Sequence, residues 1–258
     1  MSARAEGRLA GKVALVTGGG QGLGEAICER FCQEGADVHI ADLSAERGEA
    51  LAARLSAAGG TARFHRLDVT DEASWIATLE AITAAAGRLD VLVNNAGIAF
   101  KIMPIHERPV AEWDQLMAVN ARGVFLGVHH AIPIMLRGGG GSIVNLSSAA
   151  ALGQWEQMEA AYAASKAAVR VLSKSVGTQY AARGIRCNSL HPGPIETDMV
   201  KAVLAADPGV LERRLERVPM RRLGRPAEVA AAVLFLASDE SSYITAAELA
   251  IDGGAVAQ

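Results

Sequence analysis

Tyr162 and Lys166 stand four residues apart in YAASK, at the head of a stretch that reads as helix to about residue 182. At that spacing the two side chains share one helical face, one turn apart. A free phenol titrates near 10 and is a poor base at neutral pH. An ammonium about 5–6 Å away, at an effective dielectric near 20, favours the phenolate by roughly 3 kcal/mol. That is about a hundredfold in acidity. With one more positive charge nearby, such a phenol becomes a working general acid or base. The pair alone is ordinary helix decoration, so the rest of the chain must supply the site.

A second chemical element is the turn TGGGQGLG, residues 17–24, which follows the short apolar run VALVT (13–17) and opens a helix. Gly18, Gly22 and Gly24 let backbone approach a pyrophosphate without Cβ clashes. The helix that starts there presents free N–H groups and the positive end of its dipole to an anion. Asp42 ends the next strand, 24 residues after Gly18. A carboxylate there accepts hydrogen bonds from both hydroxyls of an adenosine ribose and repels a 2′-phosphate. No Lys or Arg occupies Gly19, Gly20 or Gln21. NAD is therefore expected rather than NADP.

The elements that must hold these residues alternate. DVHIAD (37–42), TARFHRLDV (61–69), LDVLVNNAG (89–97), SIVNLSS (142–148), IRCNSL (185–190) and AELAIDGG (247–254) read as strands. Helical patterns fill 44–60 (opened by Ser44), 71–87, 110–136, the stretch after Tyr162, and 226–239. Alternation of this kind calls for a parallel sheet covered by helices on both faces. No composition shift or Pro/Ser-rich linker divides the 258 residues, so a single doubly wound α/β domain is expected over 1–258. The net charge of −3 and 21% charged residues point to neither nucleic acid nor an anionic membrane surface. No apolar run approaches the roughly 20 residues that span a bilayer, and the N-terminus is polar, so a cytoplasmic protein is expected. Cys28 and Cys32, four apart, read as small core residues rather than half a metal site. The six histidines show no metal spacing, and His129–His130 reads as part of a solvated or interface helix. No metal is expected.

Together these residues resemble the classical short-chain dehydrogenase/reductase family. The likeness runs from about residue 11 to 254 and includes TGGGQGLG, LDV (67–69), NNAG (94–97), Asn120 in VNARG, NLSS (145–148), YAASK and HPGPIETDM (191–199). It implies one Rossmann domain with a seven-stranded parallel sheet, commonly a tetramer. It implies catalytic roles for Ser148, Tyr162, Lys166 and Asn120. Ser148 would bond the substrate oxygen and Tyr162 would move the proton. Lys166 would bind the nicotinamide ribose and lower the phenol's pKa, and Asn120 would hold a relay water. Gly18, Gln21, Gly22, Leu23, Gly24, Asp42 and Leu43 would bind the coenzyme's phosphates and adenosine ribose. Asp68 and Val69 would contact the adenine, and Asn94 would tie strands together. Asn95, Ala96 and Gly97 would close one side of the cleft. Pro192, Gly193, Ile195 and Thr197 would line the nicotinamide pocket. Before the likeness is considered, Asn120 is equally a water site or a satisfied core amide.

Two departures stand out. Ser148 lies 14 residues before Tyr162, one more than is common in the family, so Ser147 is the alternative. His191 stands where asparagine is common. The expected reaction is reversible hydride transfer between NAD and a secondary alcohol or ketone, with no metal. The substrate wall is expected from Ile98, Phe100, Ile102, Met103, Leu152, Trp155, Met158, Met199 and Val200, with a substrate loop over about 194–222. This mainly apolar set suggests a hydrophobic or alicyclic substrate. The stretches 154–166 and 235–242 look most like bacterial hydroxysteroid and cyclic-alcohol dehydrogenases. The alternatives are an acyl-carrier-protein ketoreductase and a non-catalytic NAD-binding protein. The long helices at 110–136 and 158–183 are expected to pack against sister subunits.

Overall fold

The computed structural model describes residues 7–153, 159–197, 209 and 215–257. Its seven strands are β1 (Val13–Thr17), β2 (Asp37–Asp42), β3 (Thr61–Arg66), β4 (Val91–Asn94), β5 (Gly141–Leu146), β6 (Ile185–Pro192) and β7 (Glu248–Ile251). They form one all-parallel sheet in the order β3-β2-β1-β4-β5-β6-β7. The α-helices whose bounds fall among the described residues are α1 (Gly22–Gln33), α2 (Ala45–Ala57), α3 (Glu72–Ala86), α4 (Val110–Leu116), α5 (Gly123–Arg137), α6 (Ala160–Tyr180) and α7 (Pro226–Ala237). This is the expected doubly wound α/β fold.

Each central strand feeds two cores, as a sheet covered on both faces requires. On β1, Ala14 and Val16 enter a core with Ile27 and Phe31 of α1, Leu51 of α2, and Val229 and Val233 of α7. Val13 and Leu15 enter the opposite core with Trp75 and Ile82 of α3, Val128 and Ile132 of α5, and Val169 of α6. The near-continuous apolar runs in the sequence are this two-sided burial. Ser44 caps α2, accepting from the Arg47 amide, and Asp71 caps α3, accepting from Ala73 and Ser74.

Several boundaries differ from the sequence reading, three of them with a clear physical cause. β3 stops at Arg66, because Asp68 turns its carboxylate onto the amide and hydroxyl of Thr70 and ends the ladder. The expected 110–136 helix is interrupted by a π-helical stretch, Met117–Arg122, between α4 and α5. The last strand is confined to Glu248–Ile251, after which Asp252 caps the turn at Gly254 and Val256. Among the described residues no helix is long and apolar enough to cross a membrane.

β2 and β3 carry an imidazole pair, one ring buried and the other half-buried. His39 is wholly buried, with its Nδ1 2.7 Å from Nε2 of His65. Burial pushes both rings below the ordinary histidine value, His39 further by its neighbour and both by Arg63. The unfolded chain takes up these protons as pH falls through about 6.5, whereas the folded chain takes them up only at lower pH. Stability is therefore expected to decline with acidification below about pH 6.5, seen as a falling urea midpoint, and His39→Gln is expected to flatten that decline. A midpoint constant from about pH 7 to 5 contradicts this.

Candidate active site

The sheet order reverses between β1 and β4, and the carboxyl ends of β1, β4, β5 and β6 share one edge. In open α/β sheets this switch point is where ligands bind. The turn after β1 is built for close backbone approach. Gly18 and Gly22 have φ of +60°, a region that favours glycine. A Cβ on Gly24 would lie 2.0 Å from the Gly18 carbonyl oxygen. Gln21 is the N-cap of α1 and its side chain makes no cap hydrogen bond, so it does not occupy the first N–H groups of the helix. Asp42 buttresses the same turn, with Oδ2 accepting from Gly20 N at 3.0 Å and Oδ1 from Ser44 N at 3.0 Å. A carboxylate has lone pairs left over for a ribose after these two bonds. Asn95 ties the end of β4 to this turn, donating to the Thr17 and Gly18 carbonyls at 2.9 and 3.0 Å. The Thr17 hydroxyl accepts from the amides of Asn95 and Ala96. Among the described residues a Cβ on Gly22 would meet Thr197 alone, at 3.9 Å, which puts Thr197 at the rim of the turn.

The reactive half is set by α6. Glu159 caps it, accepting from the Ala161 and Tyr162 amides. Lys166 is buried, 4% exposed, with Nζ 5.8 Å from the centre of the Tyr162 ring and 2.9 Å from the Leu146 carbonyl to which it donates. The Ser148 hydroxyl hydrogen-bonds the Tyr162 phenol and accepts from Ala150 N. Ser147 points elsewhere, donating to the Lys166 carbonyl at 2.8 Å. A Cβ on Gly97 would lie 3.2 Å from Lys166 Nζ and 3.3 Å from Asn120 Oδ1, so these two side chains converge beneath Gly97. Asn120 sits in the π-helical stretch, a feature frequent at functional sites. Its amide is tied to the protein through both Nδ2 hydrogens and one Oδ1 lone pair. Oδ1 accepts from Ile98 N, and Nδ2 donates to the Ile98 carbonyl and Ser165 Oγ.

The electrostatics correct one expectation. Burial pushes the Tyr162 phenol above its ordinary value, and the Ser148 hydrogen bond only partly offsets this. Burial also brings the Lys166 ammonium down to about 8. The lysine charge is directed at Leu146, and desolvation outweighs its pull on the phenol. The unliganded pocket therefore holds a neutral phenol.

A family model described as enoyl-(acyl carrier protein) reductase matches residues 18–256. The 2,5-dichloro-2,5-cyclohexadiene-1,4-diol dehydrogenase of Sphingobium indicum is 45% identical over 250 residues, 96% of this chain and 97% of that protein. The chain belongs to the classical short-chain dehydrogenase/reductase family. Two further members frame it. The 3-alpha-(or 20-beta)-hydroxysteroid dehydrogenase of Mycobacterium bovis is 42% identical over 251 residues, 97% of this chain and 92% of that protein. The solved structure of levodione reductase superposes with a TM-score of 0.90 at 37% identity, covering 96% of this chain and 99% of the other. Membership makes this short-chain dehydrogenase/reductase an oxidoreductase of CH–OH groups that works with a nicotinamide coenzyme.

Within this family member, Ser148, Tyr162, Lys166 and Asn120 gather at one edge of the sheet. Asn94 joins β4 to β5 through Asn145 Oδ1, 2.8 Å away. Val69 packs against Gly123. Leu43 is exposed. Pro192 pairs with Ile251, Gly193 N donates to the Ile251 carbonyl, and Ile195 bridges to Gly224. Of the expected substrate wall, Trp155, Met158, Met199 and Val200 lie outside the described residues, as does most of 198–214. His191, at a position where asparagine is common in the family, donates from Nδ1 to the Ser148 carbonyl at 3.1 Å and meets Ser189 Oγ at 2.9 Å through Nε2. Sequence reasoning missed Arg47, whose guanidinium reaches Gln21 Oε1 from α2, and Glu159 with its partner Arg108. Arg47 had a readable signal, three residues after the Ser44 cap and so one turn along from Asp42. Arg108 had none, being 51 residues from Glu159 in the chain.

Proposed function

We propose that this chain is an NAD-dependent dehydrogenase that interconverts a secondary alcohol and a ketone, with a hydrophobic or alicyclic substrate such as a cyclic alcohol or hydroxysteroid. The observation that carries the reading is the Ser148–Tyr162–Lys166 cluster beside the glycine cradle and Asp42, at one edge of the sheet. The positive φ of Gly18 and Gly22 and the α1 amides that the Gln21 side chain leaves uncapped fit a pyrophosphate. Gly18, Gln21, Gly22, Leu23 and Gly24 would hold it. Asp42 and Leu43 would take the adenosine ribose, Asp68 and Val69 the adenine. Asn95, Ala96 and Gly97 would form one wall, Tyr162 and Lys166 would meet the nicotinamide ribose, and Pro192, Gly193, Ile195 and Thr197 the nicotinamide.

The bound coenzyme supplies or accepts the hydride. The chain's own part is proton transfer and positioning. In oxidation Tyr162, as the phenolate, would take the substrate hydroxyl proton and become the phenol, and in reduction the phenol would return it. Ser148 and Tyr162 hold the substrate oxygen between them, which fixes the reacting carbon. Lys166 supplies charge at the ribose and beside the phenol. Asn120 Oδ1 keeps a free lone pair after its bond to Ile98 N, enough for one relay water.

The choice of NAD rests on Asp42. A carboxylate facing a 2′-phosphate costs several kcal/mol as a like-charge contact, so NAD is expected to be preferred by at least about 10²-fold in kcat/KM. Asp42→Ala is expected to weaken NAD binding by about 10- to 100-fold, the value of its charged hydrogen bonds, and to narrow the preference, because Arg47 is already next to the turn. Equal or better turnover with NADP by the parent overturns the choice.

A panel of cyclopentanol- and cyclohexanol-type alcohols, hydroxysteroids and β-ketoacyl substrates, followed by absorbance of the reduced coenzyme, tests the substrate class. Turnover of cyclic alcohols or steroids supports the reading. Exclusive use of β-ketoacyl carriers favours the ketoreductase alternative, and coenzyme binding without turnover on any substrate favours a non-catalytic protein. We also propose a homotetramer. Phe125 on α5, Trp113 on α4 and Val171 on α6 are large apolar side chains left exposed on the helices expected to meet sister subunits. Light scattering that finds a monomer contradicts that assembly.

A further inference from the structure

Arg108 and Glu159 form an ion pair at 3.1 Å with side chains only 2% and 6% exposed. Charges are rarely buried so completely unless paired, and removing one partner strands the other. Each partner is also tied to a different part of the active-site wall. Glu159 is the N-cap of α6, and its Oε2 accepts from the backbone amide of Tyr162 itself. Its Oε1 accepts from Ala161 N at 3.2 Å. Arg108 donates to the Lys101 carbonyl at 2.6 Å, pairs with Glu112, and lies 5.9 Å from the centre of the Phe100 ring. The 98–108 segment, which holds Ile98, Phe100, Ile102 and Met103, is otherwise nearly bare of regular structure, with one three-residue 3-10 turn, Ile105–Glu107. Its other anchor is Asn120, through both backbone groups of Ile98.

We propose that Arg108 and Glu159 are positioning residues, a charged clamp that fixes the 98–103 wall relative to the Tyr162 phenol. The proposal rests on the reading of Tyr162 as the proton-transfer residue. A negative cap at a helix start is favoured by the free amides and the dipole. Arg108 turns that local cap into a long-range tie, because its planar fork reaches a carboxylate and a backbone carbonyl at once. The clamp thereby sets two distances together, phenol to substrate oxygen and apolar wall to substrate ring. Misplacement of about 1 Å at such a site costs on the order of a hundredfold in rate.

The test uses the full chain with Glu159→Gln, Arg108→Met and the double variant Glu159→Gln/Arg108→Met. Hydrogen–deuterium exchange is followed in peptides covering 98–108 and 159–166, without substrate or coenzyme. Each single variant is expected to speed exchange in both segments, and the double variant to add little to either. Loosening confined to the segment carrying the substitution overturns the clamp. In kinetics, Glu159→Gln is expected to lower kcat by about 10- to 100-fold and raise KM for the alcohol, with the NAD dissociation constant within about twofold of the parent. Unchanged kcat and KM in a folded variant overturns the positioning role. Should Glu159→Gln fail to fold, Arg108→Lys serves instead, since it keeps the charge and loses the fork, and the same joint loosening is expected. If the parent transfers no hydride from any alcohol, the functional reading has failed, and the exchange measurement still decides the clamp.

Discussion

Tyr162→Phe is expected to bind NAD as the parent does and to lose about 10²- to 10⁴-fold in turnover, the usual worth of a positioned general acid or base. The phenylalanine ring fills the same space, so the packing of α6 and the 5.8 Å approach of Lys166 to the ring persist. Only the hydroxyl is removed, and with it the acceptor for the substrate proton and the partner of Ser148. Coenzyme titration by fluorescence, set beside steady-state rates, separates the two effects. A phenylalanine variant within about threefold of the parent rate shows that the proton goes elsewhere.

The second large effect separates two neighbouring serines. Ser148→Ala is expected to lower turnover by about 10²- to 10³-fold, comparable to removing one oxyanion-hole donor. Ser147→Ala removes the buried bond to the Lys166 carbonyl, an acceptor that lies within α6 and keeps its helical partner. Its expected signature is a loss of about 0.5–1.5 kcal/mol in stability with most of the rate retained at moderate temperature. The pair is informative because the two residues are adjacent in sequence yet diverge in space, Ser148 toward the phenol and Ser147 into the base of α6. Paired thermal melts and rate measurements on both variants decide between them. The reverse pattern would move the role to Ser147.

Where local pattern decides structure, the chain was readable in advance. Val13–Thr17 and the glycines after it carry their conformation in their own composition, and Ser44 opens α2 and Gly87 closes α3 at the positions where a cap and a left-handed glycine belong. The gathering of Ser148, Tyr162, Lys166 and Asn120 was also legible, because the motifs that hold them are short and ordered. What was not legible depends on contacts across the fold. The π-helical stretch that turns Asn120 inward has no sequence period of its own. Glu159 reads as one acidic residue before an alanine-rich helix until Arg108 is brought against it. Glu72, with His129 and His130, offers ligand atoms within 4.8 Å of one another, a metal-capable grouping that spacing along the chain did not suggest. The phenol's raised pKa is a matter of solvent exclusion, which sequence distance between Tyr162 and Lys166 does not report.

In the free chain burial penalises both the phenolate and the ammonium, so proton exchange at Tyr162 near neutral pH would need the positive charge of a bound nicotinamide ring to favour the phenolate. Spectroscopic titration of phenolate absorbance, in the parent and in Tyr162→Phe, with and without NAD, isolates this one group from Tyr180 and Tyr243. The account predicts a Tyr162 signal that titrates above about 10 in the free chain and moves toward neutral pH when NAD is bound. A signal that stays above about 10 with the coenzyme in place would contradict it.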